Sequence, residues 1–432
     1  MASDGVVTRS PGRLLIAHNL TDAVGSRVLA DTITVLAVLG GMAATELGVL
    51  NAVESTVVVV IAVPTSLLLD RVGFRWVLPV AMSAKLALGL AAGLVFAVVG
   101  FDGIATILFV AAVACFGVVS ELGQLIAARE LSRAGSTMTR LIAFMEATDK
   151  VASLAVPALV GFFLARGLGL PLLVAAMSSL VCAVGTALVL STSSPSRSTD
   201  RAVIPAQTQE HAQARTSARL SEVFLGFRII WLNRRLRCVV ILLAATNAGL
   251  GMGDTVLVVL VLQVLQLSPV VYGALSSVGA ATALCAALVA PAVLNRWSSS
   301  QIFMSTSVAQ LAFAVLPLVA SLAPGWAVPL LIAHDVGWSA TITILGIAAA
   351  TLAAREVHLA AVARVTAASR VVTIGVIPVA AVGGGLLTDT WGTAPALLAW
   401  VLVAATAMIL CMSIQRAWQS DDGQWSREEM TR

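Results

Sequence analysis

Long apolar stretches follow one another along almost the whole chain, separated by short polar segments. Each stretch has about 20 or more residues, the length at which an α-helix crosses roughly 30 Å of hydrocarbon with its backbone groups paired internally. The pattern predicts an all-α membrane protein with twelve transmembrane helices. We number these predicted spans one to twelve; they cover residues 14–38, 46–69, 76–100, 104–128, 140–165, 170–192, 237–265, 270–294, 300–322, 326–352, 361–387 and 393–414.

One longer polar segment divides the chain into two halves of six predicted spans. We expect an N-terminal bundle at 1–192, a cytoplasmic linker at 193–236, a C-terminal bundle at 237–414 and a cytoplasmic tail at 415–432. The end of the linker, "LSEVFLGFRIIWLNRRLR", has apolar residues at helical spacing and a basic end. This pattern predicts an amphipathic helix at the membrane surface, and a solvated linker is the alternative.

Short sequence matches relate the two halves. Thr-Asp-Ala at 21–23 corresponds to Thr-Asn-Ala at 246–248, and Asp-Arg at 70–71 corresponds to Asn-Arg at 295–296, each at an offset of 225 residues. A third match, at 221–222 residues, relates Pro157 and Gly161 in span five to Pro378 and Gly383 in span eleven. The matches predict pseudo-symmetric bundles, and repeats of this kind place a ligand site near the membrane midplane.

Composition and charge agree with a membrane protein. The chain is 59% hydrophobic and 11% charged, whereas soluble domains carry roughly 25% charged residues. Of 26 basic residues, 21 fall on the side of the predicted termini, so both termini are expected in the cytoplasm. The same bias explains the basic pI without nucleic acid as a partner.

Sites for enzymatic chemistry are not evident in the sequence. The chain has two lysines and no phosphate-binding loop, and its four histidines lack metal-ligand spacing. No Ser/His/Asp arrangement stands out. We therefore expect no enzyme, no bound cofactor and no metal site.

A charged segment lies between spans two and three. "SLLLDRVGFRWVL" resembles the signature loop of the major facilitator superfamily, with Asp70, Arg71, Gly73 and Arg75 at matching positions. The resemblance implies a two-bundle transporter fold in which this loop is one side of a cytoplasmic gate. Glu130, at the end of span four, is the candidate partner of the two arginines. The alternative is an ordinary basic loop.

Other segments indicate a branch of this superfamily. "AVPALVGF", with Pro157 and Gly161, resembles a weakened form of the G-P-x-x-G-G motif of proton-driven exporters. "FLGFRIIWLNRRLR", "VARVTAASR" and "IPVAAVGGGLLTDTWG" resemble the macrolide-efflux and siderophore-exporter branch. The resemblance implies export of small amphiphilic molecules.

Twelve Asp, Glu, Lys and Arg residues lie more than five positions from either end of a predicted span, where a central charge costs at least about 2.5–3.5 kcal/mol. The acids are Asp22, Asp31, Glu54, Glu121, Glu146, Asp149, Asp254 and Asp335, and the bases are Arg27, Lys85, Lys150 and Arg370. Carboxyl groups in nonpolar surroundings are protonated more easily, so the surplus acids are candidates for proton coupling.

Asp31, near the middle of span one, is the first candidate for binding the proton or the substrate. Glu54 and Glu121 follow, each with a local hydrogen-bonded role as the alternative. Arg27 stands four residues before Asp31, so a structural ion pair is the alternative there. Lys85 is a candidate to neutralise one of the acids.

Two pairs of ionisable residues and four amides complete the candidates. Glu146 and Lys150 have the spacing of a helical ion pair. His334 adjoins Asp335 and titrates near neutral pH, so it is a candidate proton carrier, with a structural histidine as the alternative. The neutral candidates for binding substrate are Asn19, Gln124, Asn247 and Gln263.

Together these features predict a proton-coupled exporter of an antibiotic, a siderophore or a secondary metabolite. The expected setting is the bacterial inner membrane, the expected state a monomer, and the expected partners the bilayer and a small-molecule substrate. A proton-coupled uptake symporter or a lysophospholipid flippase is the alternative within transport. A non-transporting membrane receptor or assembly factor is the alternative of a different class.

Overall fold

The computed structural model describes residues 10–72, 74–98, 103–131, 135–167, 173, 176–177, 179–182, 184–185, 225–357 and 359–430. These residues are helical apart from short connections, and none of them forms a strand. The helices are α1 (Ser10–Leu39), α2 (Ala44–Val72), α3 (Phe74–Val98), α4 (Gly103–Leu131), α5 (Gly135–Leu164), α6 (Arg234–Val259), α7 (Pro269–Arg296), α8 (Ser299–Leu322), α9 (Ala327–Glu356), α10 (Leu359–Trp391) and α11 (Thr393–Met430). A short helix at 225–232 precedes α6, a π-helical turn (Leu260–Val264) extends it, and a 3₁₀ turn (Pro324–Trp326) precedes α9.

Eleven of the twelve predicted spans correspond to these helices in order. Span six falls mostly outside the described residues, although its described positions are helical. Within the described part of the chain, eight helices are long and apolar enough to cross a membrane. They are Gly103–Ala128, Ala147–Leu164, Arg234–Val264, Pro269–Arg296, Ser299–Leu322, Pro324–Ala353, Ala368–Trp391 and Thr393–Ser413. The predicted all-α membrane fold is confirmed.

Tight connections join consecutive helices. Gly41 (φ +84°) and Gly392 (φ +91°) adopt left-handed backbone conformations after α1 and α10, which glycine accepts without steric cost. Before α8, Ser298 Oγ accepts the backbone N–H of Gln301, and the Gln301 side chain accepts the backbone N–H of Ser298. This capping box satisfies two backbone donors at the helix start.

The chain divides into two compact units, and each is described by itself. Unit one comprises residues 1–198 and 258–280, and unit two comprises residues 199–257 and 281–432. The sequence predicts domain boundaries at the two ends of the linker at 193–236, and these boundaries stay a prediction.

Unit one packs α1 against α5 and α4 against both α2 and α3. Its apolar core includes Leu15, Leu69, Val77, Ala127, Ala128, Leu141 and Met145. In a separate small cluster, Cys182 of span six is buried with Leu78 and Met82, and its sulfur lies 3.0 Å from Thr21 Oγ1.

Two glycines bring α5 and the start of α7 into close contact within unit one. A Cβ atom on Gly161 would overlap the carbonyl oxygen of Pro269, and one on Gly273 would overlap the carbonyl oxygen of Pro157. Pro157 and Gly161 are the two residues of the weakened proline–glycine motif. Gly161 and Gly273 therefore let the backbones of α5 and α7 approach closely, which is a common role of small residues in membrane helices.

Unit two packs α8 against α9 and α11. A core of Val239, Leu242, Ile302, Phe303, Leu345, Ala348, Ala349, Leu352, Ala407 and Cys411 joins these helices to α6. A second cluster seats the 225–232 helix on the ends of α9 and α10 through Ile230, Leu236, Val240, Val357, Val365 and Ala368.

Candidate functional site

Asp22 lies at the centre of a buried polar cluster between α1, α3 and α4. Its carboxylate forms an ion pair with Lys85 and accepts hydrogen bonds from Ser120 Oγ at 2.5 Å and from Gln124 Nε2 at 2.8 Å. Lys85 Nζ also donates to Ser26 Oγ at 2.6 Å. The side chains of Lys85 and Asp22 are 6% and 12% exposed. We call these five residues the Asp22 cluster.

The Asp22 cluster compensates its own charges. Two opposite charges removed from solvent are tolerated when hydrogen bonds satisfy their remaining donors and acceptors. The sequence predicted that Lys85 neutralises an acid, and the structure assigns it to Asp22. Ser26 and Ser120 were missed, although each lies four residues from another member of the cluster, one helical turn away.

Asp31 lies in a second group of charged residues, on the opposite face of α1. The guanidinium of Arg27 donates to Ser153 Oγ on α5 and interacts electrostatically with Asp31 and with Glu54 on α2. Asp31 Oδ2 is buried and has no hydrogen-bond partner among the described residues. We call Arg27, Asp31, Glu54 and Ser153 the Asp31 cluster.

The Asp31 cluster differs from the Asp22 cluster in charge balance and exposure. It contains two carboxyl groups and one guanidinium, and the two carboxyl groups also interact with each other. Arg27 and Glu54 are exposed on the surface of unit one, whereas Lys85 is buried. An incompletely satisfied carboxyl next to exposed charged groups can bind and release a proton or a cation, so this cluster is our candidate functional site.

In unit two, Asp254 on α6 and Asp335 on α9 lie close enough to interact electrostatically. Asp254 is exposed and Asp335 is partly buried. The structure thus brings together two acids that are 81 positions apart in the sequence.

His334 points away from this acid pair into an aromatic cluster. Its Nδ1 lies 2.8 Å from the carbonyl oxygen of Phe313, and its ring lies 5.9 Å from that of Trp338 and 5.1 Å from that of Trp400. Gly249 and Gly253 on α6 leave room for Trp400. A buried ring with a backbone partner and two aromatic neighbours fits the structural alternative, and the proton-carrying role stays a prediction.

Two of the predicted amides hold equivalent pairs of helices. Asn19 Nδ2 donates to the Met145 carbonyl at 3.1 Å and Asn247 Nδ2 donates to the Thr373 carbonyl at 2.8 Å, and both bonds join residues 126 positions apart. This geometry relates Asn19 to Asn247, an offset of 228 residues. The tripeptide match gave an offset of 225 residues instead, relating Asp22 to Asn247, and the internal repeat stays a prediction.

The other predicted candidates are not members of the two clusters. Asn19 also donates to Thr148 Oγ1 and to Asp149 Oδ1, and Gln263 Nε2 donates to the Val38 carbonyl at 2.9 Å. Glu121 is exposed on α4, and Lys150 and Arg370 are exposed on α5 and α10.

Most of the predicted gate lies outside the described part of the structure. Gly73 is not among the described residues, and the side chains of Asp70, Arg71 and Glu130 are not described. The same holds for the side chain of Glu146, whereas Arg75 is described and partly buried. The gate stays a prediction.

The comparison with known families identifies the superfamily of the chain. The sequence pattern that defines the Major Facilitator Superfamily matches residues 25–375. The chain belongs to the Major Facilitator Superfamily. It is accordingly an integral membrane transporter rather than an enzyme, as the resemblance of the 66–78 segment implied.

Solved structures of this superfamily share the fold. A mutant of the nucleoside transporter NupG is similar with a TM-score of 0.68 at 13% identity, over 94% of this chain and 98% of that one. A bacterial homolog of the human lysosomal transporter Spinster gives 0.65 at 12% identity, over 97% and 99%. The xylose transporter XylE from E. coli gives 0.62 at 11% identity, over 93% and 94%. No curated protein sequence matches this chain significantly.

Proposed function

We propose that this member of the superfamily is a proton-coupled exporter of an amphiphilic small molecule, namely an antibiotic, a siderophore or a secondary metabolite. The Asp31 cluster is the observation that carries the proposal, because it offers a carboxyl oxygen that has no hydrogen-bond partner among the described residues and lies beside exposed charged groups. The proton gradient is the energy source, so no bound cofactor is needed. The resemblance to the macrolide-efflux and siderophore-exporter branch supports the direction.

The coupling follows from the charge of the Asp31 cluster. With both acids ionised the cluster carries one net negative charge, and it attracts a proton or a cationic group of the cargo. Once Asp31 is protonated, Arg27 is shared by Glu54 and Ser153 alone. Each occupant stabilises the conformation that binds it better, so exchange of proton and cargo shifts the protein between its two conformations.

The first test is proton release from the purified protein in detergent when a panel of amphiphilic compounds is added. We expect at least one compound to release protons from the wild type and not from Asp31→Asn. Asp389→Asn, an acid-to-amide change at an exposed position near the end of α10, is the matched control and keeps the release. Equal release from Asp31→Asn and the wild type would show that Asp31 is not the coupling residue.

Uptake is the competing direction of transport, because the exporter motif around Pro157 and Gly161 on α5 is weakened. Val156 and Phe162 replace two glycines of the exporter motif. Glycine is retained at 161, where α5 meets Pro269, so the packing function of the motif persists in its weakened form. Lowered accumulation of the compound in cells supports export, whereas inward accumulation of a nutrient in vesicles supports uptake.

A further inference from the structure

The ammonium group of Lys85 lies against oxygen atoms of α1. It pairs with Asp22 Oδ1 and donates to Ser26 Oγ at 2.6 Å. Ser26 donates its own hydroxyl hydrogen to the backbone carbonyl of Asp22 at 2.8 Å, so a lone pair of the hydroxyl oxygen is directed to the ammonium. A carboxylate oxygen and a hydroxyl oxygen, one helical turn apart on α1, therefore both contact the positive charge.

The other oxygen of the Asp22 carboxylate is held by α4. Ser120 Oγ donates to Oδ2 at 2.5 Å, and Gln124 Nε2 donates to the same oxygen at 2.8 Å. Gln124 Nε2 also donates to Ser120 Oγ at 3.0 Å. None of these three bonds involves Lys85, so they hold the carboxylate in place independently of the lysine. Hydrogen bonds of this kind orient the carboxylate ligands of cation sites.

The Asp22 cluster is largely buried and contains one carboxylate. The exposed fractions of Ser120, Gln124 and Lys85 are 0%, 2% and 6%. A charge in such surroundings is stable only when an opposite charge compensates it. One monovalent cation balances one carboxylate, whereas a divalent cation would leave an excess positive charge. Carboxylate and hydroxyl oxygens are ligands of hard metal cations.

A lysine at this position is uncommon for this chain. Of its 26 lysine and arginine residues, only Lys85 and Lys150 are lysines. The ammonium of lysine is a compact point charge, whereas the guanidinium of arginine is planar and spreads its charge over a rigid fork of donors. A compact charge between two oxygen atoms of one helix resembles a bound metal cation more closely than a guanidinium does.

We propose that the Asp22 cluster is a site for a monovalent cation in which the ammonium of Lys85 takes the place of a sodium ion. The lysine is a cation attached to the chain, so the wild type needs no sodium from the medium to balance Asp22. Shortening the side chain at position 85 opens the site to a dissolved ion. The proposal concerns α1, α3 and α4 and does not depend on the cargo or the direction of transport.

The test is the sodium dependence of thermal unfolding of the full-length protein in detergent. Sodium chloride is compared with choline chloride at equal ionic strength, because choline carries the same charge and is much larger. We expect the melting temperature of the wild type to be equal in both salts, and that of Lys85→Ala to be higher in sodium chloride by about 2–4 °C. The matched control is Lys150→Ala, which removes the exposed second lysine on α5 and shows no response to sodium.

Two further variants separate a cation site from a general effect of charge. Lys85→Ala/Asp22→Asn lacks the carboxylate, so we expect equal melting temperatures in the two salts. Lys85→Arg keeps the charge and loses its compact shape, so we expect it to melt below the wild type in both salts. Equal melting temperatures of Lys85→Ala in the two salts would overturn the proposal. An undiminished sodium response in Lys85→Ala/Asp22→Asn would refute it as well, since Asp22 would then not be the ligand.

Recovery of folded protein provides a second measurement. Lys85→Ala and Lys85→Ala/Asp22→Asn are solubilised and purified in sodium chloride throughout, and we expect both to elute as monodisperse peaks in size-exclusion chromatography. Aggregation of Lys85→Ala alone would show that the unpaired carboxylate is the cause and that sodium does not replace the ammonium. That result would also contradict the proposal.

Discussion

At the scale of single residues, the structure separates two acids of α1 that have similar sequence surroundings. Asp22 is paired with Lys85 and hydrogen-bonded, whereas Asp31 retains a buried oxygen without a partner among the described residues. The sequence identified both acids and Lys85. It did not identify the pairing, because the rotation of one helix against another decides which side chains meet, and composition does not determine that rotation.

The Asp22 cluster yields a stability prediction. Lys85→Met leaves an unpaired buried carboxylate, and we expect this change to destabilise the protein by about 3–5 kcal/mol. Lys85→Met/Asp22→Asn removes both charges and regains part of the loss. Thermal unfolding of the purified variants measures both effects. A double variant no more stable than Lys85→Met would contradict the assignment of this pair.

His334 and Asp335 show a limit of sequence adjacency. Successive residues of an α-helix point about 100° apart, so neighbours in sequence face different surroundings. His334 contacts Trp338, Trp400 and the Phe313 carbonyl, and Asp335 interacts with Asp254 on another helix. The pattern of apolar and polar residues did not predict the contacts of either His334 or Asp335.

At the scale of helices, apolar length predicted the order and approximate bounds of the described elements. Close helix contacts were not predictable, because the chain has 33 glycines and only some of the described ones lie where another backbone approaches. Gly161 and Gly273 are two that do.

The contact between α5 and α7 yields a packing prediction. Gly161→Ala places a methyl group against the Pro269 carbonyl, and we expect a loss of about 1–3 kcal/mol. Gly117→Ala on α4 is the matched control, because a Cβ atom there meets nothing within 4 Å. Melting temperatures of the two variants test the prediction. A Gly161→Ala variant as stable as Gly117→Ala would contradict the close approach.

At the scale of the whole molecule, the charged segment at 66–78 and the twelve apolar stretches predicted the superfamily. The cargo did not follow from the fold. Structures with this fold are described as transporters of nucleosides, of xylose and of metal. A shared fold therefore leaves the substrate to side chains such as those of the Asp31 cluster.

The distribution of basic residues yields a topology prediction. The test uses a background in which the five free cysteines are replaced by serine. If both termini are cytoplasmic, Trp297→Cys, at an exposed position after α7, is labelled by a membrane-impermeant maleimide only in inverted membrane vesicles. Arg166→Cys, at the exposed end of α5, serves as the opposite control and is labelled in intact spheroplasts. The reverse pattern would contradict the proposed orientation.

Transport in proteoliposomes with an imposed pH gradient tests proton-coupled export most directly. Protein is reconstituted with a compound that releases protons in detergent, and the vesicle lumen is made acidic. Exchange of protons for cargo predicts that the compound accumulates in the acidic lumen in either protein orientation, that a protonophore abolishes the accumulation, and that Asp31→Asn does not accumulate the compound. Accumulation only when the exterior is acidic would contradict export and establish symport.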